Sequence, residues 1–376
     1  LLSKSLHIVS LNVPYPVDYG GVFDLFYKLP ALQQQGIKIH LHCFEYGRGK
    51  QDELNKYCES ISYYPRKKGL PALSIRSPYI VSSRSSKVLV NRLLEDDFPI
   101  LMEGVHCTSI LLDKRFESRG YFVRLHNVEF VYYRHLAAFT TSFFKKIYYN
   151  VESRLLSEYE RRIANRATFL TVSKKDEETY KSIGCTKSVF IPLFLPDWKV
   201  SNIEGKGSFC LYHGDLSVAE NEKAALWLLK DVFNAVNIPF VIAGKKPSKK
   251  LQKLAHTHSN VCLIANPDEA EMQDLIAKAH INIIPSYNST GVKLKLINAL
   301  YNGRYCLVNE TTILASGLEE ACVVASNANS FKLAIEHLYS KPFYLEELQF
   351  REQLLSKTFN NTQNARQLIS LIWNNS

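Results

Sequence analysis

The stretch that most constrains this chain is residues 281–308, INIIPSYNSTGVKLKLINALYNGRYCLV. Ile281 to Ile284 are β-favouring and nearly all apolar, as in a strand buried on both faces. Pro285 to Thr290 are turn formers, and Thr290 can cap a following helix. Val292 to Tyr301 has helical composition, and Gly303 is a natural C-terminal stop. Tyr305 to Val308 returns to strand. The segment therefore predicts a βαβ unit whose helix starts at a loop beyond the strand's carboxyl end. Open parallel sheets bind ligands there, and helix N-termini attract phosphate. Gly291, Lys295 and Asn298 share one helical stripe. Close backbone approach, then a cation, then an amide suits a diphosphate followed by a ribose. Lys293 and Lys295 also read as solvated helix lysines, and Asn298 as a surface amide, so the segment alone leaves both readings open.

The same alternation runs through the rest of the chain. Strand 6–12, a Pro- and Gly-rich loop at 13–21, helix Val22 to Gln35 closed by Gly36, and strand 37–44 make a β-loop-α-β start. Further strands are expected at 99–103, 121–125, 168–172 and 188–191. A long helix is expected from about residue 142 to 165, with Phe144, Ile147, Val151, Leu155, Tyr159 and Ile163 recurring on its core face. Residues 192–208 carry two prolines and two glycines with little periodicity, and read as linker. Alternation then restarts at 209–214, with strands at 239–244 and 260–265 and helices near 221–235, 248–256 and 269–279. The expected fold class is α/β, with two Rossmann-like doubly wound parallel-sheet domains facing across a cleft. The expected boundaries are 1–195 for the first domain, 196–207 for the linker and 208–345 for the second domain. Residues 346–376 read as C-terminal helices that can cross back to the first domain.

Composition narrows the function. The 376 residues suit two domains, and 46% hydrophobic content supports sizeable cores. No run of about 18 apolar residues occurs, so no transmembrane helix is expected. LLSKSLHIVSLNVPYP is not expected to be a signal peptide, because it lacks a long apolar stretch and a small-residue cleavage site. The eight cysteines form no Cys-x-x-Cys pair and read as buried free thiols of a reducing, cytoplasmic compartment. The net charge of +10 is compatible with nucleic acid, anionic membrane or phosphorylated ligands. No nucleic-acid motif accompanies it, so no nucleic-acid partner is expected.

Five segments carry a family resemblance. They are PYPVDYGGVFDLFYKLPALQQQGIKIHL, RLHNVEFVYYRHL, LLSEYERRIANRATFLTVSKKD, YHGDLSVAENEKAALWLL and STGVKLKLINALYNGRYCLV. Their motifs and order resemble the two-domain GT-B glycosyltransferases, closest to the retaining family 4. The resemblance implies an N-terminal lobe for the acceptor and a C-terminal lobe for a nucleotide diphosphate sugar. It implies a metal-independent hexosyltransferase with no cofactor beyond that substrate. Helix N-termini and basic side chains would stabilise the departing diphosphate. The family's habits point to a glycan or lipid-linked acceptor in bacterial surface polysaccharide synthesis. The acidic run Glu95-Asp96-Asp97 reads as surface, not as a metal loop.

Candidate residues follow, each with its plainer reading. Gly20 and Gly21 would let backbone N–H groups approach the diphosphate or donor sugar, or form an ordinary Gly-rich turn. Asp18 would orient an acceptor hydroxyl or act as a base, or simply form the turn. His126 matches the position where relatives place a histidine facing the donor sugar; the alternative is a histidine holding its loop, which Asn127 and Glu129 brace. Glu103 and His106 also follow a strand end. Gly214 would allow phosphate approach in the second domain, and Lys245 or Lys246 would reach the diphosphate. Lys295, Lys293 and the helix start at Gly291 would stabilise the leaving group. The departures are Asn298 and Thr290, where many relatives carry Glu. Asn offers one acceptor oxygen where Glu accepts in a bidentate way, so a ribose would be held less strongly.

The segment FFKKIYY at 143–149 mixes aromatics with lysines. It would either sit on an anionic membrane surface, as a peripheral protein of the inner face, or pack its aromatics into the core. Two rival functions remain: a GT-B nucleotide-sugar epimerase, and a non-catalytic nucleotide-sugar or glycan-binding subunit with the same fold.

Overall fold

The computed structural model describes residues 4–116, 119–314 and 316–373. They form two units. The first is Leu1–Pro196 with Thr290–Val292 and Phe359–Ser376; the second is Asp197–Ser289 with Lys293–Thr358.

The first unit holds seven strands: β1 (Ser5–Ser10), β2 (Lys38–Glu45), β3 (Ser60–Pro65), β4 (Ile100–Glu103), β5 (Tyr121–Leu125), β6 (Thr168–Thr171) and β7 (Ser188–Phe190). Their order is β3-β2-β1-β4-β5-β6-β7, and every pairing is parallel. Successive side chains alternate between two buried layers. Val9, Ile100 and Met102 join the core on one face, and Leu6, Ile8 and Leu101 join the core on the other. Two covered faces explain why these strands are continuous apolar runs. The helix Asn361–Trp373 adds Ala365, Leu368 and Ile372 to the second of these cores.

The second unit holds six strands: β8 (Cys210–Asp215), β9 (Phe240–Lys245), β10 (Val261–Ala265), β11 (Ile281–Ile284), β12 (Tyr305–Val308) and β13 (Val323–Val324). Their order is β10-β9-β8-β11-β12-β13, again all parallel. Both sheets are therefore doubly wound α/β, as the sequence predicts.

Several local expectations need correcting. The helix after β11 runs Leu294–Asn302, two residues later than expected, and its N-cap is Lys293 with no side-chain cap. Thr290 does not cap it; its hydroxyl donates to Asn127 Oδ1 at 3.4 Å. Gly303 does close the helix, and a side chain there would collide with the Asn282 amide. The acidic run is not all surface. Asp96 is partly buried, accepts from His7 Nε2 at 2.9 Å and pairs with Arg119 at 2.9 Å.

The long helix forms at Phe143–Ile163, but only its C-terminal half is core. Leu156, Tyr159 and Ile163 are buried, whereas Phe144, Ile147 and Val151 are exposed. Its first turns pack on one side against the helix Glu129–Phe139, where the Tyr149 ring meets that of Tyr133 at 6.0 Å, and carry Phe143, Phe144, Ile147 and Val151 exposed.

Candidate functional site

The order of each sheet reverses at one place: between β1 and β4 in the first unit, and between β8 and β11 in the second. Crevices at the carboxyl ends of such strands are where open α/β sheets take ligands.

At the first reversal, β4 ends in Glu103 and β5 is followed by His126. The helix Gly20–Gln33, which follows β1, contributes Asp24 and Lys28. Asp24, Lys28 and Glu103 are at most 1% exposed. Lys28 Nζ donates to Glu103 Oε1 at 2.6 Å and pairs with Asp24 Oδ2 at 3.0 Å. Arg124, from β5, grips Asp24 with two parallel bonds of 2.9 and 2.8 Å. The other Glu103 oxygen accepts from His126 Nε2 at 3.0 Å. Two carboxylates and two cations thus balance in a buried cluster, with His126 at its edge.

The balance sets the charge states. Burial pushes the Asp24 carboxyl up, but Arg124 and then Lys28 outweigh it and hold the group well below the usual range. Burial likewise pushes Glu103 up, while Lys28 and the His126 bond bring it below the usual range. An ionised Glu103 fixes His126 with its Nε2–H inward, which leaves Nδ1 as the ring's second polar atom. Asp24, Glu103 and His126 have ligand atoms within 4.8 Å of one another, as a metal site would. Lys28 already lies between the two carboxylates and supplies the positive charge that a metal would bring.

The second reversal gathers Lys295, His213 and Glu220. Lys295 opens the helix after β11, with its Nζ 5.2 Å from the centre of the Tyr212 ring. Burial lowers its amine to about 8, against the opposing pull of Glu220 and with help from Lys293. His213, near the end of β8, is buried, and its Nε2 has no hydrogen-bond partner among the described residues. Burial, with Lys295 beside it, lowers His213 to about 3, so the ring is neutral. A buried, unpaired polar atom next to a partly desolvated ammonium is a ready place for an anionic, hydrogen-bonding ligand. Glu220, in the first turn of the helix Ala219–Trp227, shapes the adjoining loop. Its Oε1 accepts from Ser286 Oγ, Tyr287 N and Asn288 N at 2.9, 2.9 and 3.0 Å.

The residues singled out from sequence fall as follows. Gly20 and Gly21 form the first turn of the helix after β1, and a side chain at Gly21 would press on the Tyr19 ring at 2.6 Å. Asp18 is half-exposed and paired with Arg48 at 2.8 Å, outside the buried cluster. Gly214 sits at the end of β8, where a side chain on Gly244 of β9 would collide with its carbonyl. Lys245 ends β9 opposite Asp215 and is exposed. Lys293 is the N-cap before Lys295. Asn298 lies one turn further, and its Oδ1 accepts from Asn302 Nδ2 at 2.6 Å. Gly291 does not start the helix. It has φ +64° and donates its N–H to Asp176 at 3.0 Å, so that donor is engaged. Thr290 and Gly291 group with the first unit, and the remaining donor candidates of this segment with the second.

Sequence reasoning missed Asp24, Lys28, His213 and Glu220. One signal was available for the first two. The helix Gly20–Gln33 is apolar on nearly every side, so charges inside it had to be buried and paired.

No protein-family model matches the chain. A protein described as an uncharacterized 44.6 kDa protein in the cps region of Klebsiella pneumoniae is 28% identical over 328 residues, covering 82% of this chain and 83% of that protein. Sucrose-phosphate synthase from Thermosynechococcus elongatus superposes with TM-score 0.70 at 13% identity, over 98% of both chains. HepE from Anabaena, solved in complex with UDP and glucose, gives TM-score 0.63 at 11% identity, over 98% of this chain and 99% of its own. With two parallel doubly wound sheets of matching extent, the chain has the GT-B fold of glycosyltransferases.

Proposed function

We propose that this protein is a metal-independent glycosyltransferase of the hexosyl-transferring kind, moving a sugar from a nucleotide diphosphate sugar to a glycan or lipid-linked acceptor. The observation that carries the reading is Lys295. It is a partly desolvated ammonium beside the buried His213, whose Nε2 has no hydrogen-bond partner among the described residues, at the strand-order reversal of the second unit. Such a cation stabilises the charge that grows on a departing diphosphate. Lys293 and Lys245 add positive charge at the same sheet edge. In the first unit, His126 would hydrogen-bond the donor sugar, with Glu103 and Lys28 fixing its ring. Gly20 and Gly21 would admit the donor closely, and Asp18 would orient the acceptor. The complex of HepE with UDP and glucose supports a uridine donor. The cps-region relative is in line with an acceptor from surface polysaccharide synthesis.

A thermal-shift screen against UDP, GDP, ADP, CMP and their sugar conjugates tests this, with Lys295→Ala and Asn298→Ala in parallel. A ligand bound by the folded state alone raises the melting temperature. One diphosphate should do so, and Lys295→Ala should erase most of the shift. No shift with any nucleotide would sink the transferase reading. The Asn298 oxygen engaged by Asn302 favours one second reading, a subunit that binds nucleotide sugar without turnover. Sugar release in the presence of the stabilising donor separates the two.

A further inference from the structure

We propose that the first unit docks on an anionic lipid surface through two adjoining segments, the loop 66–78 and the first turns of the helix Phe143–Ile163. Both expose large apolar side chains. Leu70 is 83% exposed, Ile75 94%, Phe143 71% and Phe144 82%, and Leu73, Ile147, Tyr148 and Val151 are also exposed. On the helix the apolar residues form one stripe. At about 100° per residue, positions 143, 147, 151, 144 and 148 fill an arc of about 140°. Lys146 and Lys145 flank that arc on its two sides, and the buried Glu152, Ser153 and Leu156 occupy the opposite face. This is the layout of a helix lying in a bilayer interface, with lysine stems covering apolar surface while their ammonium groups reach outward.

The loop continues the patch. Tyr79, just after it, donates its backbone N–H to Glu152 of the helix at 2.9 Å, which ties the two segments together. Exposed cations surround the apolar side chains: Lys67, Lys68, Arg76, Lys145 and Lys146. Neither 66–78 nor 140–151 contains an Asp or Glu. A single sign of charge around exposed apolar groups selects the partner. A second copy of this chain would bring the same cations into apposition, whereas anionic headgroups over an apolar layer complement both features.

The test is co-sedimentation of the full chain with vesicles of phosphatidylcholine containing phosphatidylglycerol, against phosphatidylcholine alone, at low and high salt. Binding should require the anionic lipid and weaken with salt. Lys145→Gln and Lys146→Gln should each weaken it about five-fold. The pair Phe143→Ser and Phe144→Ser should weaken it at least about ten-fold. These positions are exposed, so thermal melts should be unchanged, which distinguishes lost docking from lost folding. Equal binding to both vesicle types, or none to either, overturns the proposal. So does a lipid-free dimer that the serine pair dissociates, which would make the patch a self-association surface.

Discussion

Lys28→Met tests the buried cluster most directly. The substitution keeps an apolar stem and removes the ammonium that bridges Glu103 at 2.6 Å and Asp24 at 3.0 Å. Breaking a buried pair on one side typically costs about 3–5 kcal/mol, because the partner is left uncompensated. In a unit of this size that corresponds to a melting-point drop of about 6–20 °C near neutral pH. The pH dependence carries the sharper signature. In the parent protein both carboxyls lie below their unfolded values. Their stabilisation is therefore complete above about pH 4 and is lost as pH falls below the ordinary carboxylate range. Without Lys28, burial dominates at Glu103 and lifts its carboxyl above the unfolded value. The folded variant then binds the extra proton, so its stability falls as pH rises from about 4 towards 7. Circular-dichroism melts of parent and variant should show a large gap at neutral pH that narrows on acidification. Adding Glu103→Gln should recover part of the loss. A gap below about 1 kcal/mol, or one that is the same at both pH values, would refute the electrostatic account.

Lys295 titrates at about 8, so diphosphate affinity should fall as pH rises through that value and the ammonium is lost. Calorimetric titrations across that range should show the fall in the parent and a flat profile in Lys295→Met. Glu220→Ala removes the acceptor of three bonds from the loop 286–288. It should cost about 1–3 kcal/mol in denaturant titrations and, on the proposed function, raise the donor KM more than it lowers kcat.

The fold was legible because its strands are buried on both faces. LHIVS, YFVRL and INII are nearly uninterrupted apolar runs followed by turn formers, and β5 and β11 fall where they were expected. β3 was not found, because SISYYP mixes serines and tyrosines at a sheet edge, where most of its side chains are only half-buried. β13 is two residues long and carries no periodicity. His126 and Lys295 could be picked out because each follows a strand end, where chemistry collects. Asp24 and Lys28 carry a weaker signal, because a pair four residues apart on a helix looks like a surface ion pair unless the apolar residues all around it are weighed. Glu220 was hidden for another reason: its work is to hold a loop more than sixty residues away in sequence, and no local pattern encodes that.

The helix Asn361–Trp373 has a consequence for the order of synthesis. It belongs to the first unit, and Ala365, Leu368 and Ile372 pack in the same core as Leu6 and Ile8. The strands of this unit, made before the second unit, must therefore wait for a helix made after it before their core can close. The second unit, whose main segments lie between residues 197 and 358, is made during that wait and can close its own core sooner. Domains usually fold in the order in which they emerge. Here the unit begun first is finished last, and an early stop within 361–373 would injure the amino-terminal sheet rather than the neighbouring unit.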